Sequence, residues 1–207
     1  MGSPLNRSIK ASIRRQVNND KQLNLQARQI IEKQFKVIRD NMLNDFETHS
    51  VTRELSGGPS ASNATNSLPE GNLFGFIGFD SGADPVSGIR KLLSSTEIYI
   101  KRRRMGQFGF VWTYLITSPS LKDLYSVTPL PWANGASWLR ELEGRGIPNL
   151  GQYMHKRIPS SRSGVGFQNS RRSAGGRLKI PYVKQILMDF EKKLNSIEAS
   201  RVSRANF

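Results

Sequence analysis

The chain contains no cysteine and only two histidines among its 207 residues. Disulfide scaffolds, thiolate zinc sites, iron–sulfur clusters and cysteine nucleophiles are therefore excluded. His49 and His155 lie far apart, and no carboxylates stand near them at metal-ligand spacing, so no metal site and no cofactor are expected. Carboxylates are scarce throughout: 16 Asp and Glu stand against 31 Lys and Arg, a formal charge of 31 − 16 = +15. Long hydrophobic runs are missing as well. No stretch approaches the ~20 apolar residues of a membrane-spanning helix, and the N-terminal residues lack the apolar core of a secretory signal. GxxxxGK(S/T), GxGxxG ahead of a helix, HExxH and GxSxG do not occur. Two carboxylate pairs remain as acid–base candidates. Asp80 pairs with Asp84, which precedes Pro85 and is explained by helix capping, and Glu141 and Glu143 diverge on a helix. A non-enzymatic protein is expected.

The positive surplus is the strongest feature present. Self-repulsion of this size is tolerated when a polyanion or an acidic partner neutralises it. Nucleic acid and an acidic protein assembly both qualify, whereas an anionic membrane has only the basic N-terminal segment to hold. Lys101, Arg102, Arg103 and Arg104 run consecutively into a hairpin turn, where alternating strand geometry surrounds the tip with charge. From Gly144 to Met188 there are nine Lys or Arg and no Asp or Glu. Arg162, Arg171, Arg172 and Arg177 of that block lie in a Gly/Ser-rich stretch suited to backbone phosphates or an acidic neighbour. Base readout is not indicated: helix-turn-helix and zinc-finger patterns are absent. Gln107-Phe108-Gly109-Phe110-Val111 has the aromatic spacing of an RRM strand without the RRM order of elements, which leaves a core strand.

Periodicity supplies the scaffold. Leu5, Ile9, Ile13 and Val17 recur every four residues among Arg7, Lys10, Arg14 and Arg15. This predicts a thin basic amphipathic helix over 5–17 in a basic arm over 1–20, which folds onto a partner or lies on its own core, with Ile9, Ile13, Arg14 and Arg15 as its contacts. Ala27, Ile31, Phe35, Ile38, Met42 and Phe46 predict a long helix over 21–47. Residues 56–70 are small and polar apart from Leu68 and predict a mobile loop that buries nothing. Residues 159–178 predict a second mobile, basic loop. Asn72–Phe79 reads as a strand or buried extended segment between its glycines. A short helix follows over 85–94, then strands over 96–103 and 108–117, the second apolar on both faces and so expected at the sheet centre. Asn134 is placed as the cap of a helix over 136–143, and Pro181 opens a final amphipathic helix. The expected fold is α+β: a small antiparallel sheet packed by a long N-terminal helix and a C-terminal helix. One domain over 21–198 is expected, with a tail over 199–207.

Three stretches carry a family resemblance. They are His49-Ser50-Val51-Thr52-Arg53-Glu54-Leu55 through Gly71-Asn72-Leu73-Phe74, then Trp138-Leu139-Arg140-Glu141-Leu142-Glu143-Gly144, and Ile180-Pro181-Tyr182-Val183. With the order of elements, they resemble the neck, head–tail connector and tail-completion proteins of tailed bacteriophages over most of 24–198. The family's Arg-Thr-Gly-rich segment after the first helix is not present in that form. The resemblance implies a virion structural protein at the head–tail junction, assembled in the host cytoplasm. It implies a homo-oligomeric ring around the DNA channel, with portal, connector or tail-terminator-type proteins as partners. It also implies arms that order on assembly and basic side chains facing DNA or acidic neighbours. A subunit core of Phe46, Phe76, Trp112 and Phe190 is expected. The alternatives are a nonspecific nucleic-acid-binding protein and a metal-dependent nuclease.

Overall fold

A computed structural model of the chain describes residues 9, 11–13, 16, 21–68, 71–105, 110–145, 154–155, 167–168 and 180–204. Helix α1 spans Lys21–Thr48. Its inward stripe is the predicted one: Ile31, Phe35, Ile38, Met42 and Phe46 are buried. At ~1.5 Å per residue its length exceeds the diameter of a small domain, so its two ends serve different cores. Where the sequence predicts one domain over 21–198, the chain gathers into two compact units. Unit 1 is Met1–Ile38 with Thr96–Thr117, and unit 2 is Arg39–Ser95 with Ser118–Phe207. The fold class is α+β, as expected.

Unit 1 holds the first part of α1 and an antiparallel ribbon of β1 (Glu97–Met105) and β2 (Phe110–Thr117). The expectation of a central second strand is overturned. Among the described residues the sheet has two strands, and Thr113 and Leu115 of β2 are exposed. The ladder is also irregular. Ile100 pairs with Tyr114 and Arg102 with Thr113, so Lys101 is an extra residue at a bulge. The strict alternation expected through Lys101 stops there.

Unit 2 is mostly helical: α2 (Ser50–Ser56), α3 (Leu73–Ile77), α4 (Ser87–Ser94), α5 (Leu121–Ser126), α6 (Trp138–Arg140) and α7 (Val183–Arg204). Two short ribbons join them, β3 (Pro129–Leu130) with β4 (Ala133–Ser137), and β5 (Met154–His155) with β6 (Phe167–Gln168). The apolar run Asn72–Phe79 forms helix α3, not a strand. Asn72 caps it by accepting from the Gly75 N–H at 2.9 Å, and Gly78 ends it in the left-handed region at φ 86°. Two good caps thus permit a helix of one turn and a half that periodicity alone does not reveal. Helix α6 begins two residues later than expected, because β4 occupies Ala133–Ser137 and Ser137, not Asn134, accepts from the Arg140 N–H at 3.1 Å. A π-helical turn, Glu141–Arg145, follows it.

Residues 57–72 do not match the expected empty loop. Gly58, Ser67 and Leu68 are buried. The Asn72 amide donates to the carbonyls of Gly58, Pro59 and Ala61 at 3.2, 3.1 and 2.9 Å. Glu54, fully buried on α2, accepts from the N–H groups of Thr65 at 2.9 Å and Leu73 at 2.5 Å. Within the segment, Asn63 accepts from the Ser67 N–H at 3.2 Å and donates to the Leu68 carbonyl, and the hydroxyls of Thr65 and Ser67 pair at 2.7 Å; Glu54 from α2 and Asn72 at the segment's end add to these bonds.

Candidate functional site

The three stretches that carry the resemblance meet in unit 2 around Tyr182. Its ring stacks on Phe46 at 5.9 Å and on Trp138 at 6.4 Å, and lies tilted against His49 at 4.8 Å. Its hydroxyl pairs with that of Thr52 at 2.6 Å. Leu142 accepts from the Ile180 N–H at 3.3 Å. The Glu143 carboxyl accepts from the Lys184 N–H at 2.8 Å in the first turn of α7. Burial pushes the Glu143 pKa up, and backbone donors at Lys184, Tyr182 and Val183 pull against it. Of the expected core, Phe46, Phe76 and Phe190 are buried in unit 2, whereas Trp112 belongs to unit 1. Tyr182 and Trp138 take its place as the largest enclosed side chains.

His49 caps α2. Its Nδ1 accepts from the Val51 N–H at 3.2 Å, and burial lowers its pKa. A protonated ring has no lone pair at Nδ1, so protonation releases the cap. The folded pKa lies below the unfolded one. This contribution is therefore complete above about pH 6.5 and is lost as pH falls through the folded pKa. Urea titrations between pH 7 and 5 are expected to show this loss, ~1 kcal/mol for a cap of this kind. His49→Asn, which keeps an accepting oxygen, should flatten the dependence. An unchanged slope in that variant places the titration elsewhere.

The carboxylates proposed for acid–base work have structural partners. Asp84 accepts from the Val86 N–H at 3.2 Å and from Arg90 at 3.4 Å. Arg90 in turn grips Glu47 at 2.6 and 3.1 Å, and that pairing raises its pKa. Among the described residues, no three His, Asp or Glu side chains gather as metal ligands. A 380 Å³ groove in unit 2 is lined by residues that include Lys122, Tyr125, Arg140 and Glu141. Sequence reading missed it, since its cations come from separate helices and form no run.

The binding candidates divide. Lys101 to Arg104 lie within β1 rather than beyond it, Lys101 at the bulge and Arg102 to Arg104 paired with Thr113 to Val111. Ile9 and Ile13 are helical and exposed. Arg14, Arg15, Arg162, Arg171, Arg172 and Arg177 fall outside the described residues. Sequence reading missed how the exposed apolar groups are distributed. Of the nine large ones among the described residues, seven belong to unit 1: Ile9, Ile13, Leu25, Ile30, Val37, Tyr99 and Leu115. Tyr99 and Leu115 face each other across the ribbon at 50 % and 45 % exposure. Unit 1 also carries 12 Lys or Arg and 3 Asp or Glu, so 12 − 3 gives +9 of the chain's +15. In unit 2 the notable exposed group is Trp132, 63 % exposed with its indole N–H donating to the Ile77 carbonyl at 2.8 Å.

No protein-family model, curated protein or solved structure matches the chain.

Proposed function

We propose that the chain is a non-enzymatic virion structural subunit of a tailed phage: a ring-forming neck, head–tail connector or tail-completion protein around the DNA channel. The observation that carries this reading is the contrast between the two units. Unit 2 closes a core of large aromatic and aliphatic side chains on itself. Unit 1 leaves uncovered most of the exposed large apolar groups among the described residues and concentrates the chain's charge. A surface that is apolar and strongly cationic together is finished by neighbours, as a ring of copies docked on portal, connector or tail-terminator-type proteins requires. The junction of the three resembling stretches at Tyr182 supports the same reading, since they act as one structural element. Assembly would occur in the host cytoplasm and end at the head–tail junction. No described helix is long and apolar enough to cross a membrane.

A second reading, nonspecific nucleic-acid binding by a monomer, draws on the +9 of unit 1. Electron microscopy and native mass measurement of the purified chain, alone and with a portal-type partner, separate the two. Closed rings support the connector. A strict monomer that binds DNA tightly, with affinity falling steeply with salt, overturns it in favour of the second reading. Magnesium-dependent DNA hydrolysis abolished by Asp80→Ala or Asp84→Ala overturns the non-enzymatic assignment. Arg102→Glu with Arg103→Glu is expected to leave the fold intact while disturbing assembly or DNA contact. Unfolding of the double variant makes the run structural.

A further inference from the structure

The geometry points to the outer edge of β1 as a strand-addition site. Its occupant is an extended segment of a partner protein, apolar along one half and acidic along the other. This rests on the reading of unit 1 as a surface completed in assembly, and it names the partner's chemistry. Among the described residues, β1 and β2 pair only with each other, so each keeps one edge of N–H and C=O groups open to a further strand.

The composition of β1 selects what pairs there. Its first half, Glu97–Ile100, contains Ile98, Tyr99 and Ile100, with the exposed Tyr99–Leu115 pair presenting apolar surface that an added strand would extend. Its second half is the run Lys101 to Arg104. The bulge at Lys101 separates the halves. It resets the register so that Arg102 opposite Thr113 and Arg104 opposite Val111 fall on alternate rungs with Tyr99 opposite Leu115. Two copies of this chain pairing edge to edge in parallel through β1 would bring their cationic runs together, and charge on an edge strand is a device that suppresses self-association. An acidic strand meets the opposite situation. Nucleic acid fits less well. Glu97 accepts the Tyr99 hydroxyl, which sets a carboxyl beside the exposed Tyr99 ring, and its cross-strand partner Leu115 offers a base nothing to stack on.

The test uses the full chain and a fluorescent synthetic peptide whose first half alternates valine with threonine and whose second half alternates glutamate with valine. A scrambled peptide and an oligothymidylate of equal charge serve as competitors. Capture of the ordered peptide is expected, with slowed hydrogen exchange at β1 amides and affinity weakened about tenfold or more by Arg102→Glu with Arg103→Glu. If that variant loses its native circular dichroism, Tyr99→Thr, at an exposed position, replaces it with the same expected direction. Three results overturn the inference: binding no tighter than the scrambled peptide, tighter binding of the oligothymidylate with the same amides protected, or β1 protection that rises with protein concentration alone. Rings without peptide capture overturn strand addition and leave the connector reading. Capture without rings overturns the connector reading and leaves strand addition.

Discussion

Tyr182→Ala is expected to lower the unfolding free energy of unit 2 by about 3–5 kcal/mol, the range for deleting a large buried aromatic. The ring is fully enclosed and touches Phe46, His49 and Trp138 at once, so its removal leaves a void bounded by three elements that cannot close together. Tyr182→Phe separates packing from polarity. It keeps the stack but leaves the Thr52 hydroxyl, also buried, without its partner, a loss of ~1–3 kcal/mol. Adding Thr52→Val to that variant should restore most of the loss, because no buried polar atom is then orphaned. Urea unfolding followed by tryptophan fluorescence checks all three, and a Tyr182→Ala midpoint equal to the parent's would remove Tyr182 from the core. The phenol adds a pH signature. Burial raises its pKa above the ordinary value of 10.0. Its contribution is complete below that value and is lost as pH rises through the folded pKa, so the parent should lose stability above pH 10 more steeply than Tyr182→Phe.

The second large effect is expected at Glu54. Glu54→Leu removes the only side chain that reaches both the Thr65 and Leu73 N–H groups. Two backbone donors are then left without acceptors, at ~1–3 kcal/mol each. The consequence is local before it is global. Residues 57–72 lose one of their anchors, and limited proteolysis should cut there well before the parent is cut. Glu54→Gln keeps one accepting oxygen but turns an N–H toward one of the two donors, so it should fall between. Equal protease resistance in all three proteins would show that Asn72 and the segment's own hydrogen bonds hold it without Glu54.

What the sequence made legible follows from how far each signal travels along the chain. The stripe Ile31, Phe35, Ile38, Met42, Phe46 is local and repeated, and it marks α1 to within a residue of Thr48. The final helix and the hairpin were legible for the same reason. Helix α3 was not, because its identity rests on one cap at each end rather than on any repeat. The order of 57–72 was hidden more deeply: it depends on Glu54, whose bond to Leu73 crosses nineteen residues and leaves no local pattern. The division into two units was hidden because both draw on one unbroken helix. For the candidate site, the cationic run could be read directly, while the bulge that phases it could not, since only the partner strand reveals an extra residue. The pairing of Tyr99 with Leu115 followed only once that register was known.

The contrast between Trp138, 1 % exposed, and Trp132, 63 % exposed, gives unit 2 two optical probes of different kinds. Trp138 lies in the aromatic stack, so its emission should be blue-shifted and shielded from acrylamide until the core opens. Trp132 is held by its N–H to the Ile77 carbonyl with much of its surface in water, so it should be red-shifted, readily quenched and comparatively rigid in anisotropy. Docking that covers the β3–β4 turn would quieten the second signal and leave the first unchanged, while unfolding would alter both.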